Sequence, residues 1–118
     1  MSNVRRNITG LVLVCTVVGG CATKTPPIYQ WRGYQKNVDA YFRTDKLSLD
    51  AQAQSMEDDL QKIRMAGGAV PPGYYAHLGL LYGQQGKVDQ FAEQMETEKK
   101  QYPESGPYMD FLLRNFKK

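Results

Sequence analysis

The stretch PGYYAHLGLLYGQQGKVDQFAEQMETEKKQYPES, residues 72–105, determines the predicted fold. In its first half, Tyr75, Leu78 and Tyr82 recur at helical spacing on one face, and Gly86 can end that helix with a positive φ. Its second half carries another apolar face, formed by Val88, Phe91, Ala92, Met95 and Tyr102. Because Pro103 cannot continue a helix, the stretch predicts two antiparallel helices joined by a tight turn.

The same residues resemble one tetratricopeptide unit, whose pattern is W-x2-L-G-x2-Y, A-x3-F and a proline in 34 residues. The positions that carry the resemblance are Tyr75, Leu78, Gly79, Tyr82, Gly86, Phe91, Met95 and Pro103. Gly79 would let the partner helix approach closely, whereas the ring of Phe91, in place of a small residue, is expected to push the helices apart or tilt them. The alternative is an ordinary helical hairpin with coincidental glycines.

The rest of the chain is also predicted to be helical. Ser48 is a suitable N-cap for a helix with a narrow apolar seam, formed by Leu49, Ala53, Met56, Leu60 and Ile63. On its outer face, Asp58 and Lys62 stand at i,i+4 spacing, and the run 57–59 is read as a solvated acidic face. A last helix, with Tyr108, Phe111, Leu112 and Phe116 as its apolar face, is expected to cap the preceding repeat.

These patterns together predict an all-α domain of antiparallel, tetratricopeptide-like helical hairpins with a C-terminal capping helix. The expected helices are 34–43, 49–66, 72–85, 88–101 and 107–116. The expected divisions of the chain are a signal peptide at 1–20, a lipidated cysteine and short linker at 21–28, and a single helical domain at 29–118. The tetratricopeptide-like hairpin occupies 72–105 of that domain.

The N-terminal segment has the order of a targeting signal. Arg5 and Arg6 precede an apolar region of 11 residues, 8–18, which is too short to span a bilayer comfortably. Gly19, Gly20 and Cys21 follow, and two small residues before a cysteine resemble the bacterial lipobox. That resemblance implies acylation of Cys21, and Ala22 after it resembles the outer-membrane class. A plain secretory signal with an incidental cysteine is the alternative.

Loss of this signal changes the thiol and charge content. Cys15 would leave with the signal and Cys21 would become the anchor, so that no thiol remains for a disulfide, a metal or a nucleophile. Removing Arg5 and Arg6 from the 15 basic residues leaves 13 against 12 acidic ones, a net charge of +1. Such a balance argues against nucleic-acid binding.

An aromatic segment, residues 29–42, follows the linker. Trp31, Tyr34, Val38 and Tyr41 recur at helical spacing, which favours packing against the later helices. Rings beside a lipid anchor also fit a membrane interface or a partner surface. Tyr29, Trp31 and Tyr34 are therefore the candidate partner-binding residues.

The mature chain resembles a family of small, uncharacterised proteobacterial lipoproteins. The resemblance rests on the lipobox, on Y-x-W-x-x-Y at 29–34, on V-P-P-G at 70–73 and on Y-P-E-S at 102–105. That family has Trp-Gly where this chain has Trp31 and Arg32. The resemblance implies a neighbour similar to the curli secretion channel, and hence a shared envelope assembly.

No catalytic motif is recognisable, and His77, the only histidine, has no carboxylate at ligand spacing. We expect His77 to be a surface or half-buried residue, and we expect neither a metal nor another cofactor. The predicted role is an accessory protein-binding subunit of an envelope complex and not an enzyme. The alternatives are a structural lipoprotein without a dedicated partner and a regulator of peptidoglycan-active enzymes.

Overall fold

A computed structural model describes residues 25–43 and 47–116. Five α-helices lie in these ranges: α1 (Tyr34–Phe42), α2 (Leu49–Met65), α3 (Tyr74–Gln84), α4 (Val88–Gln101) and α5 (Gly106–Phe116). A 3-10 turn, Pro103–Ser105, joins α4 to α5. The predicted all-α class is confirmed, whereas the predicted signal peptide at 1–20 and the lipidation site Cys21 lie outside the described residues.

Side-chain contacts between helices define two ends of the bundle. At one end the hydroxyl of Tyr34 lies 3.5 Å from the carbonyl oxygen of Gly73, so the starts of α1 and α3 are adjacent. At the other end Gln84 donates to the hydroxyl of Tyr41 across 2.6 Å, so the ends of α1 and α3 are adjacent. We call the first the linker end, because residues 25–31 enter there, and the second the far end.

Local backbone chemistry explains where the helices begin and end. Ser48 accepts the N–H of Ala51 at 3.2 Å and caps α2, as predicted. Gly86, with φ of +76°, ends α3, and the N–H of Lys87 then reaches the carbonyl oxygen of Tyr82 at 2.9 Å. A hydrogen bond that spans six residues, together with a glycine of positive φ, is a Schellman motif. The same pattern ends α2 at Gly67.

Helix α3 begins two residues later than predicted because Pro72 belongs to a turn. The N–H of Tyr74 donates to the carbonyl oxygen of Pro71 at 3.2 Å, and Gly73 has φ of +85°. Proline at the second position and a left-handed glycine at the third are the signature of a type II turn. This turn sets the direction in which α3 leaves the linker end.

The core contains the predicted repeat positions. Tyr75, Leu78, Tyr82, Phe91 and Met95 are all buried, together with Ala53, Met56, Leu60, Ile63, Tyr74, Leu81 and Met109. Val88 does not belong to it, since 44% of its surface is exposed. The prediction for Val88 was wrong because the apolar face of α4 begins one turn later, at Phe91.

Two glycines of α3 let α4 and α5 approach. A Cβ atom on Gly79 would lie 2.8 Å from Met95 Cε and 3.3 Å from the backbone oxygen of Phe91. One turn later, Gly83 leaves space for the ring of Phe116, which a Cβ atom would approach to 2.7 Å, and for the ring of Phe91, which stacks on Phe116 with centroids 4.1 Å apart. The close contacts at Gly79 show that Phe91 does not push α3 and α4 apart, and the expected tilt stays a prediction.

The buried face of α5 differs from the predicted one. Met109 is buried, and Leu112 and Leu113 pack partly against the core. Tyr108 and Phe111, by contrast, are 60% and 51% exposed, with nearly parallel rings 6.3 Å apart. The predicted apolar face lay one residue before the observed one. Its error came from Tyr108 and Phe111, which were assigned to the buried face because they are aromatic.

The acidic run 57–59 is not uniformly solvated. The hydroxyl of Tyr82 donates to the carboxylate of Glu57, and the N–H of Gly33 donates to Asp59 Oδ2 at 3.0 Å. Lys62 pairs with Asp59 at 3.5 Å and not with Asp58. The carboxylate of Asp58 accepts a hydrogen bond from Gln54, one turn earlier on the same helix. Two of the three carboxylates thus hold other elements against α2.

Candidate interaction site at the linker end

The linker segment is attached to the loop after α2. Tyr29 forms an isolated parallel bridge with Ala69, in which the N–H of Gln30 donates to the carbonyl oxygen of Ala69 at 3.1 Å. The side chain of Gln30 lies over Gly68, where a Cβ atom would approach it to 2.3 Å. Residues 29–30 are thereby positioned against the folded domain, before α1 begins.

The three candidate partner-binding residues join one aromatic cluster. The cluster comprises Tyr29, Trp31, Tyr34, Tyr74 and Tyr102. Successive ring centroids lie 5.4–6.3 Å apart, from Tyr102 through Tyr29, Trp31 and Tyr34 to Tyr74. These separations are typical of favourable aromatic pairs. The hydroxyl of Tyr102 also donates to the carbonyl oxygen of Val70, which connects the cluster to the linker end.

The three residues differ in how much surface they present. Tyr34 is half-buried, stacked on the fully buried Tyr74, and burial with the nearby Glu98 charge raises its pKa. Tyr29 is also half-buried, whereas Trp31 is 41% exposed and the neighbouring Ile28 is 81% exposed. Tyr34 therefore packs mainly against the core. Trp31 is the residue whose ring both contacts its neighbours and remains accessible.

Arg32, beside Trp31, has a left-handed backbone. Its φ of +40° is the only positive value of a non-glycine residue in the described ranges. An L-residue in this conformation costs roughly 1–2 kcal/mol, a cost that glycine avoids. This is the position where the resemblance to the lipoprotein family expects glycine. The turn that presents Trp31 is thus maintained despite the larger residue.

Glu98 is a site residue that the sequence reasoning missed. It is 2% exposed, and its Oε1 and Oε2 accept the N–H groups of Gly73 at 2.6 Å and Ala76 at 3.4 Å. The carboxylate therefore caps α3 from a different helix and lies under the aromatic cluster. Helical spacing could have identified it. Glu98 lies three residues after Met95 and four before Tyr102, and therefore on the same face of α4.

His77 is buried, contrary to the expectation of a surface or half-buried residue. Its side chain is 8% exposed and contacts the rings of Tyr34 and Tyr41, with centroids 6.0 and 5.2 Å away. Burial lowers the pKa of His77, and a backbone hydrogen bond with Asn37 partly opposes this shift. The imidazole thus packs α1 against α3 in its neutral form.

The described ranges contain no group of three or more His, Cys, Asp or Glu residues that could hold a metal ion. No helix in these ranges is both long and apolar enough to cross a membrane. What the linker end does present is an aromatic surface, formed by Trp31 and its neighbouring rings beside the buried Glu98.

Comparison with family models identifies the domain. Residues 28–112 match the model described as Domain of unknown function (DUF4810). The chain belongs to this family. The DUF4810 match begins at Ile28, so it includes the aromatic cluster, the type II turn and Glu98. No curated protein and no solved structure matches the chain.

Proposed function

We propose that this DUF4810 protein is a lipid-anchored accessory subunit of an envelope complex, facing the periplasm from the outer membrane. The anchor is Cys21, supported by the charged and apolar segments before it and by the small residues beside it. Acyl chains supply the membrane affinity, and stable attachment takes more than one chain. The proposed activity is protein binding and not catalysis.

The observation that carries the proposal is the supported, exposed ring of Trp31. Tryptophan and tyrosine are favoured anchors of protein interfaces, and a ring that is already ordered loses less entropy when it binds. Trp31 contacts Tyr29 and Tyr34 on its two sides, and Ile28 extends the apolar surface towards the linker. The site thus combines the accessible ring of Trp31 with two neighbouring rings that hold it in place.

The short linker restricts the partner to the membrane surface. Five extended residues, 23–27, reach at most about 18 Å at 3.3–3.6 Å per residue. The linker end then lies near the lipid, within reach of other anchored proteins. The partner we propose is an envelope lipoprotein similar to the curli secretion channel, as the sequence resemblance implies.

The test is crosslinking in native membranes with the wild-type chain and Trp31→Ala. We expect Trp31→Ala to lower the yield of partner adducts at least tenfold. The domain should stay folded, with a melting temperature lowered by about 4–8 °C because the contacts with Tyr29 and Tyr34 are lost. Phe42→Ala is the matched control, because Phe42 is a 76% exposed ring at the far end. It should leave the adducts unchanged.

If crosslinking of the wild-type chain yields no more partner adducts than background, the proposed complex is refuted. A purely structural lipoprotein would then be the better interpretation. Loss of folding in Trp31→Ala would refute the role of Trp31 as an anchor. Release of muropeptides from peptidoglycan by the purified protein would instead indicate an enzyme.

A further inference from the structure

Among the helices of the described ranges, α1 is the one that buries no apolar side chain. Its single buried residue is the polar Asn37, whereas every other helix buries at least one apolar residue. Gly33, which precedes α1, provides no side-chain cap, and no acidic residue lies in the first turn. An element with few buried apolar contacts can open while the rest of a domain stays folded. We therefore expect α1 to leave the bundle more readily than α3 or α4.

Aromatic rings around His77 attach α1 to α3. Tyr34 begins α1 and Tyr41 lies near its end, and their ring centroids are 6.0 and 5.2 Å from the imidazole. Tyr34 also stacks on Tyr74 with centroids 5.5 Å apart, and Gln84 donates to the hydroxyl of Tyr41. The buried His77 thus lies between the two places where α1 is attached to α3.

The imidazole has an acceptor for one proton but not for a second. Nε2 of His77 is buried and has no hydrogen-bond partner within 25–43 and 47–116. The hydrogen bond with the backbone of Asn37 therefore belongs to Nδ1. Protonation would add a positive charge and an N–H group at Nε2, and both would be buried without a partner. The packed arrangement of α1 and α3 thus requires the neutral imidazole.

The surroundings of His77 do not compensate for such a charge. From α1 it faces the phenols of Tyr34 and Tyr41, which are neutral below about pH 10. The charged residues of α1, Lys36 and Asp39, are exposed, and α3 itself contains no Asp, Glu, Lys or Arg. The carboxylates that bond to neighbouring elements here are Glu57, Asp59 and Glu98. None of these three carboxylates contributes to the pKa shift of His77.

We propose that α1 separates from α3 when His77 takes up a proton, while the other helices stay folded. The separation removes Tyr34 from Tyr74, and with it one of the two rings that hold Trp31 in place. The linker-end surface is then complete at neutral pH and incomplete in acid. That a partner is released as a result rests on the proposed function, whereas the motion rests on His77 and α1 alone.

The size of the effect follows from proton linkage. Once α1 has separated, His77 is solvated and binds its proton with the ordinary pKa of 6.5. The packed form binds it only at lower pH. Between pH 7.5 and 5.5 the ratio of separated to packed chains should therefore rise by roughly three- to tenfold.

The test is hydrogen exchange of the backbone amides of the full-length chain at pH 7.5, 6.5 and 5.5. Protection factors divide out the effect of pH on the chemical exchange step, so they report the opening of each helix. Amides of α1 should exchange through an opening that low urea concentrations barely change. Those of α4 should instead follow the unfolding of the whole domain, which depends strongly on urea. Protection of α1 should fall by about three- to tenfold from pH 7.5 to 5.5.

Variants separate protonation from packing. In His77→Gln and in His77→Phe, which places another ring between Tyr34 and Tyr41, protection of α1 should change less than twofold over the same interval. Gln84→Leu is the matched control, because it removes the bond to Tyr41 but keeps the imidazole. It should lower the protection of α1 at every pH and retain the wild-type dependence on pH.

Exchange of α1 in step with α4, with the same dependence on urea, would overturn the proposal. An equal dependence on pH in the wild type and in either folded His77 variant would do so too. If neither variant folds, the comparison of α1 with α4 in the wild type and in Gln84→Leu decides the question. The assay contains no membrane and no partner, so its failure leaves the Trp31 crosslinks intact. Failure of the crosslinks would equally leave the exchange rates unchanged.

Discussion

At the scale of single residues, Glu98 connects the core to the linker end. Its two carboxylate oxygens satisfy N–H groups at the start of α3, a helix whose cap residue, Gly73, has no side chain. The negative charge also lies at the positive end of the α3 dipole. A buried carboxylate is tolerated here because both of its oxygens have backbone donors.

We predict that Glu98→Ala lowers the free energy of unfolding by about 2–4 kcal/mol, because two partly buried N–H groups lose their acceptor and the side chain leaves a cavity. Glu98→Gln keeps one acceptor and should cost about 1–2 kcal/mol. Urea unfolding measures both. Glu96→Ala, on the exposed side of the same helix, is the control and should stay within about 0.5 kcal/mol. A loss in Glu98→Ala no larger than in this control would contradict the prediction.

His77 predicts a dependence of stability on pH. Burial lowers its pKa below the ordinary 6.5, so the unfolded chain takes up a proton first as the pH falls. Stability is therefore full above pH 6.5 and declines as the pH falls through 6.5 and below. We expect the midpoint of urea unfolding to decrease between pH 7.5 and 5.5 in the wild type. In His77→Gln it should stay flat over that interval, and an equal slope in both would refute the assignment.

At the scale of elements, the α3–α4 crossing depends on glycine. Gly79 faces Met95 and the backbone of Phe91 at distances that leave no space for a methyl group. Gly83 does the same for the rings of Phe116 and Phe91, of which Phe116 is the nearer. The two glycines, one turn apart, let α4 and α5 lie close to α3, and the large ring at position 91 is accommodated beside Gly83.

We predict that Gly79→Ala destabilises the domain by about 1–3 kcal/mol, because Met95 must move and the backbone of Phe91 cannot. The better helix propensity of alanine offsets part of this cost. Gly106→Ala is the matched control, since a Cβ there meets nothing within 4 Å. It should be neutral or slightly stabilising in thermal unfolding. A gain of stability in Gly79→Ala would show that the helices are not in close contact there.

At the scale of the whole molecule, the bundle separates two surfaces. The linker end presents Trp31 and Ile28 beside the proposed anchor, and the far end presents a small pocket between the ends of α1 and α3 and the start of α2. Helix α2, with 17 residues at about 1.5 Å each, spans roughly 25 Å between them. With Cys21 as the proposed anchor, the linker end would lie near the lipid and the far end would face away from it.

This orientation predicts a difference in quenching by the membrane. Fluorophores attached to Met65→Cys, at the linker end, and to Val88→Cys, at the far end, would be compared in vesicles whose lipid headgroups carry a quencher. The Met65→Cys label should be quenched more strongly, because a five-residue linker to the proposed anchor at Cys21 reaches at most about 18 Å. Adding Cys21→Ala should abolish quenching at both positions. Stronger quenching at Val88→Cys would reverse the proposed orientation.

The sequence by itself determined the helices, since local signals set them. Ser48, Gly67, Gly86 and Pro103 act through their own backbone or nearest neighbours, so the observed helix bounds lie within two residues of the expected ones. The 3.6-residue period correctly predicted burial of Tyr75, Leu78 and Tyr82, but it missed that α3 also buries Tyr74, His77 and Leu81 on its other sides. Tyr29, Trp31 and Tyr34 were chosen as candidate partner-binding residues because large rings follow the predicted lipid anchor, and their binding role stays a prediction.

Only the tertiary structure decided which of these faces meets a neighbour. Trp31 is exposed and Tyr34 is half-buried, because the ring of Tyr34 stacks on Tyr74, which comes from a helix 40 residues further along the chain. Glu98 is buried for the same reason, as its donors belong to α3. The exposed rings of α5 and the far-end pocket likewise depend on contacts between distant segments, which no periodicity within a single helix contains.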